Sequence, residues 1–124
     1  MNSIKFGILL IIVLVGLITV LSAYGASNSK ARDQIRIQNI AIIKEFLGAY
    51  KQNEGSYPNS NPDNKPVGWE KYLQNFPNFP VGGSCTQNNI FSYKPINNNN
   101  SYNVSFCLEH ASNGFKTGLN LITP

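Results

Sequence analysis

The chain holds one imidazole, two thiols and six carboxylates, and these bound the chemistry open to it. A Ser-His-Asp or Cys-His nucleophile needs its imidazole beside both a nucleophile and an acid. The imidazole must be His110, which follows an alternating stretch and precedes the turn signal Ser112-Asn113-Gly114. A histidine so placed reads as a solvated loop residue, and serine is common enough here that a nearby hydroxyl means little. The carboxylates are Asp33, Glu45, Glu54, Asp63, Glu70 and Glu109. They are scattered, so none pair for general acid–base work. Two thiols and one imidazole cannot fill a four-ligand structural zinc site. Asp63 amid Asn59, Asn61 and Asn64 offers oxygens of the kind calcium takes, but the same residues are ordinary turn formers. Gly82-Gly83 lacks the following Lys-Ser/Thr of a phosphate loop. The sequons Asn99-Asn100-Ser101 and Asn103-Val104-Ser105 are expected from an Asn-rich composition. The residues therefore predict a protein that is not an enzyme, with no catalytic, metal-binding or cofactor-binding side chains.

Composition narrows the partners. Formal net charge is +4, but the basic residues are spread from Lys5 to Lys116 and the excess reflects few acids. No Lys/Arg run of the kind that tracks phosphates is present, so no nucleic-acid partner is predicted. Charged residues make up 13% of the chain against an ordinary level of about 25%. Hydrophobic residues at 42% are enough for a folded domain.

The elements divide the chain in two. Residues 1–29 read as a hydrophobic N-terminal helix, because Phe6 to Ser29 carries no charge and Phe6 to Leu21 is apolar but for Thr19. With Ser22, Ala23 and Tyr24 this stretch reaches the roughly 20 residues that cross a bilayer core. One reading is a retained anchor; the other is a secretory signal cleaved after Ala23-Tyr24-Gly25. The anchor is preferred, since the following residues continue as a helix. Lys30, Arg32 and Arg36 would place their side in the cytoplasm. The two downstream cysteines argue for an oxidising compartment, and that orientation is adopted.

Residues 30–124 form the second unit. Within it, 30–52 makes an amphipathic helix. Ile35, Ile40, Ile42, Ile43, Phe46, Leu47, Ala49 and Tyr50 fall in one half of a helical wheel, with Arg36 and Asn39 intruding. No Pro or Gly separates Ala26 from Leu47, so both helical stretches can form one rod of roughly 75 Å. Asn53-Glu54-Gly55 with Pro58 is its stop signal. Trp69 to Phe76 is long enough for two helical turns. Three strands follow: Ile90 to Lys94, Ser101 to Glu109 and Phe115 to Ile122, with turns at Asn97–Asn100 and Ser112–Gly114. Tyr102, Val104, Phe106 and Leu108 share one face, which the apolar half of the helix is placed to cover. The fold class is thus α+β, a long N-terminal helix packed on a small antiparallel sheet. Ile40, Ile43, Phe46, Leu47 and Tyr50 are expected to hold head to helix. Cys85 and Cys107 are expected to form a disulfide worth about 3 kcal/mol in the chain-entropy model.

This order of elements resembles the type IV pilins and the pseudopilins of type II secretion. The similar stretches are Lys30-Ala31-Arg32-Asp33, the helix Ile40 to Tyr50, the ending Asn53-Glu54-Gly55-Ser56-Tyr57-Pro58, and Gly114-Phe115 to Pro124. The resemblance implies a lollipop-shaped subunit, held by one pass in the inner membrane with an extracytoplasmic C-terminal head. It also implies later assembly into an extracellular or periplasmic filament. Partners would be further copies of itself or mixed pilins, the inner membrane, and the pilus or secretion assembly machinery. Filament and membrane packing would fall to Phe6, Gly7, Ile8, Leu10, Ile12, Val15, Gly16, Leu17 and Leu21, the glycines permitting close helix approach. The chain departs from the family pattern in two places. With Met1 near the family's mature start, Lys5 stands where the family has Glu. Ser22 stands about where it has a helix-breaking Pro. The competing reading is a membrane-anchored or secreted binding domain that does not polymerise.

Overall fold

The structure is a computed structural model that describes residues 28–124; for 3–27 it gives the helical backbone alone. The chain is an α+β arrangement in which one helix lies on a three-stranded antiparallel sheet. Helix α1 is Ser3–Glu54. The strands are β1 (Phe91–Ile96), β2 (Ser101–Leu108) and β3 (Gly118–Ile122), in the spatial order β1-β2-β3. The residues assigned above to membrane and filament packing, Phe6 to Leu21, lie outside the described residues, as does Lys5. Among the described residues no helix is long and apolar enough to cross a membrane.

The helix meets the head along one stripe. Ser29, Asp33, Arg36, Ile40, Ile43 and Leu47 are all buried, and Tyr50 continues the line half-buried. Their alternating spacing of three and four keeps side chains on one face of an α-helix. Phe46 is buried beside this stripe, whereas Ile35 and Ile42, on its flank, are exposed. The helix stops at Gly55, whose φ of 85° is open to glycine at little cost and whose N–H reaches Lys51 O at 2.8 Å.

The sheet is a meander. Phe91 pairs with Phe106 and Tyr93 with Val104; Phe106 in turn pairs with Asn120 and Val104 with Ile122. The inner face thus carries Tyr102, Val104, Phe106 and Leu108, all buried against Ile40, Ile43, Phe46 and Leu47. The β1–β2 turn is made by Asn97, Asn98 and Asn99, each at positive φ. Asparagine tolerates that region because its short amide can bond locally.

Some elements differ from their sequence reading. The first strand runs two residues further, and the third begins at Gly118 rather than Phe115. Only a single 3-10 turn forms at Trp69–Lys71 in place of two helical turns. Here aromatic packing prevails over local helix propensity. Tyr72 sits 5.5 Å from Phe46 and Trp69 sits 5.7 Å from Phe76, measured between ring centres. Such contacts dock the segment as an irregular strap, because tertiary context overrides weak local preference.

Candidate functional site

The most ordered polar structure lies where the helix, the end of β2 and the loop before the sheet converge. Asp33 and Arg36 are one helical turn apart on the buried stripe, and Glu109 and His110 follow directly after β2. The Asp33 carboxylate accepts the backbone N–H of Glu109 at 2.9 Å and of His110 at 2.8 Å. Its Oδ1 also accepts Arg36 Nη1 at 2.8 Å. The same Nη1 donates to Glu109 Oε2 at 2.8 Å. Arg36 Nε and Nη2 both donate to the Pro80 carbonyl, at 2.9 and 2.7 Å. Arg32 grips Glu109 with two parallel bonds, at 2.8 and 2.6 Å, the fork geometry that guanidinium and carboxylate favour.

Two cations and two anions cancel, and both Arg36 and Asp33 are almost wholly removed from water. Burying charge is tolerable only when it is paired and fully hydrogen-bonded. That condition is met: among the described residues no buried side-chain nitrogen or oxygen lacks a partner. The bond from Arg32 holds the Glu109 carboxyl below the usual carboxylate range. Desolvation works against this shift, and Arg36 adds to it. The Arg32 guanidinium is pushed up in turn by Glu109.

The Pro80 loop is tied in place from behind. Cys85 and Cys107 form a disulfide across a sequence separation of 22. The loop's backbone approaches the ion cluster closely, so a Cβ on Gly82 would strike the Arg32 guanidinium and one on Gly83 the Glu109 carboxylate.

His110 is exposed, and its Nε2 lies 2.8 Å from Ser29 Oγ. Asp33 meets His110 at the backbone N–H, not at the ring. The three residues therefore do not line up as a relay through Asp33, in which the carboxylate must orient the imidazole itself. What this arrangement does chemically is clamp the end of β2 to the helix. Asp63 belongs to a turn, in which Asn61 Oδ1 accepts the N–H groups of Asp63 and Lys65 at 3.0 and 2.9 Å. Among the described residues no group of three His, Cys, Asp or Glu side chains is placed to hold a metal.

At the other end of the stripe the head is held by rings. Ile40, Ile43, Phe46 and Leu47 are buried, and Tyr50 packs partly buried on the same cluster. Phe46, Tyr50 and Tyr72 form a triangle with centres 5.5 to 6.0 Å apart. Tyr93 donates its hydroxyl to Pro58 O at 2.6 Å. Burial pushes the Tyr93 phenol well above its ordinary value, with Tyr102, Tyr50 and Tyr57 adding to the shift.

Sequence reading missed the ion cluster. In the sequence Arg36 reads as a charge intruding on the apolar half, and Asp33 and Glu109 as scattered, unpaired carboxylates. The available signal was spacing: Ser29, Asp33 and Arg36 extend the stripe of Ile40, Ile43 and Leu47 without a break.

No family model, characterised protein or solved structure matches this chain.

Proposed function

We propose that this chain is a non-enzymatic structural subunit of a type IV pilus-like or pseudopilus filament, assembled through its hydrophobic N-terminal helix. One observation carries the reading. The helix side chains bonded to the head run from Ser29 to Asn53, while the charge-free sequence Phe6 to Leu21 lies on the other side of that attachment. An apolar helical segment next to a firmly mounted head needs lipid or copies of itself as cover. Lipid suits a subunit waiting in the inner membrane, and copies suit one built into a filament. Contacts of the head-to-tail type that do not close by rotation generate filaments. The Cys85–Cys107 disulfide supports an extracytoplasmic head, since such bonds persist in oxidising compartments.

Mass spectrometry of sheared surface material and of the membrane fraction tests the reading. Sheared filaments containing a chain that retains residues 8–24 are the expected result. A soluble chain beginning at Ala26 overturns it and leaves a secreted domain. A chain found only in the membrane fraction overturns polymerisation and leaves an anchored binding domain. Gly16→Leu separates the filament from the anchored domain further: it should weaken a closely packed filament core and leave a membrane anchor intact.

A further inference from the structure

The two edges of the sheet are built differently. On β1 the strand carries Lys94 and Pro95, and the Tyr93 N–H is already taken by Asn64 O at 2.8 Å. Charge, proline and a covering loop are the usual means of keeping an edge strand from pairing. On β3 the sequence is Gly-Leu-Asn-Leu-Ile, with no charge and no proline. Among the described residues no further strand pairs with it.

The side chains of β3 reinforce the contrast. Asn120 points inward and is buried, bonded to Lys116 N and O. Leu119 and Leu121 point to the outer face and are 55% and 63% exposed, the largest values among the exposed large hydrophobic side chains. The outer face of β1 and β2 carries Ser92, Lys94, Asn103 and Ser105, with Ile96 half-buried and Cys107 buried in its disulfide. Among the strands, the exposed large hydrophobic side chains thus lie on the one whose edge is open.

We propose that β3 pairs antiparallel with β3 of a second copy of this chain, centred on Asn120, to extend the sheet from three strands to six. The strand is self-complementary in that register. Leu119 falls opposite Leu121 of the other copy and Asn120 opposite Asn120, so four leucines form one strip on the outer face. Two copies of a chain with net charge +4 repel, and an uncharged strand is the segment on which they meet without placing like charges opposite one another. The geometry is isologous: the same patch serves both partners. Two leucines and one strand edge fall well short of the roughly 800 Å² per partner of a standard interface. The pair is therefore weak in dilute solution and forms where copies are concentrated in a membrane or an array. This inference rests on the membrane placement proposed above and not on polymerisation into a filament.

Cysteine cross-linking of the full chain tests it. Chains carrying Leu119→Cys and Leu121→Cys, differently tagged, are co-expressed and mildly oxidised in the native membrane. The native cysteines are paired with each other, but Leu119 lies opposite Cys107 on β2, so only dimers that retain the Cys85–Cys107 bond are counted. Directly opposed residues lie about 5 Å apart between Cβ atoms and diagonal ones about 7–8 Å, so only the mixed pair is well placed. The expected result is a mixed-tag dimer several-fold more abundant than the dimer from either variant alone, and none from Lys94→Cys. Equal yields from the mixture and the single variants overturn the register. Absence of dimer, or cross-linking to a different protein, overturns the second copy as occupant. Both leucines are exposed, and retention of the native disulfide in each variant verifies that the head is folded.

Discussion

At Ser29, Asp33 and Arg36 the buried stripe of α1 is polar, and at Ile40, Ile43 and Leu47 it is apolar. Both halves hold the same helix to the same head. The apolar half gains by removing carbon surface from water, about 1.5–3 kcal/mol for each large side chain fully buried. That force has no direction, and rings such as Phe46 and Tyr72 can slide while keeping most of it. The polar half gains little net energy, because desolvating the charges offsets much of their attraction. Its bonds are directional. Asp33 accepts two successive backbone N–H groups, from Glu109 and His110, and that match exists at one register only. The apolar half supplies stability, and the polar half fixes where the head sits on the helix.

Four measurements break or sharpen this contrast. The largest effect is expected from Asp33→Ala, which takes from buried Arg36 one of its two carboxylate partners and strands two backbone donors; it should cost about 3–5 kcal/mol in denaturant unfolding. Loss of amide-exchange protection at Glu109 and His110 should accompany it, whereas an unchanged midpoint would mean that the clamp contributes nothing. Leu47→Ala should cost about 2–5 kcal/mol, independent of pH, and leave those two amides protected. Reducing Cys85–Cys107 should cost about 3 kcal/mol. It should loosen the polar half first, since Pro80, which takes two Arg36 bonds, lies on the tethered loop. The smallest effect is acid sensitivity. The folded Glu109 carboxyl lies below its usual value, so its contribution is complete above the unfolded value of about 4.3. It is lost as pH falls from there through the lowered folded value. Glu109→Gln should flatten that part of the pH–stability curve; a curve unchanged by this substitution would show that the carboxylate is not the group being titrated.

Legibility followed chemistry. The alternation of Tyr102, Val104, Phe106 and Leu108 marks a half-buried strand, and Gly55 after the helix marks its end; both are local patterns. Ile40, Ile43 and Leu47 could be placed on one helix face because hydrophobicity itself carries the periodicity. Asp33 and Arg36 obey the same spacing but could not be assigned to the buried stripe, because a charge is buried only when a partner arrives from elsewhere. That partner, Glu109, is 73 residues from Arg36. The exposed pair Ile35 and Ile42 shows the converse: an apolar residue need not be covered if it lies just off the stripe.

The sequence by itself determined the long helix and the three strands, the turns, the apolar part of the helix–head contact and the charge-free N-terminal stretch. Each of these depends on neighbours within a few residues. Only the tertiary structure decided that two arginines and two acids close into a neutral clamp around a buried Asp33–Arg36 pair. It alone showed that Trp69 to Phe76 is a strap and that β3 is the sheet's open edge. Those outcomes depend on which distant groups meet, and for a charged or edge-exposed group it is the partner that sets the energy of burial.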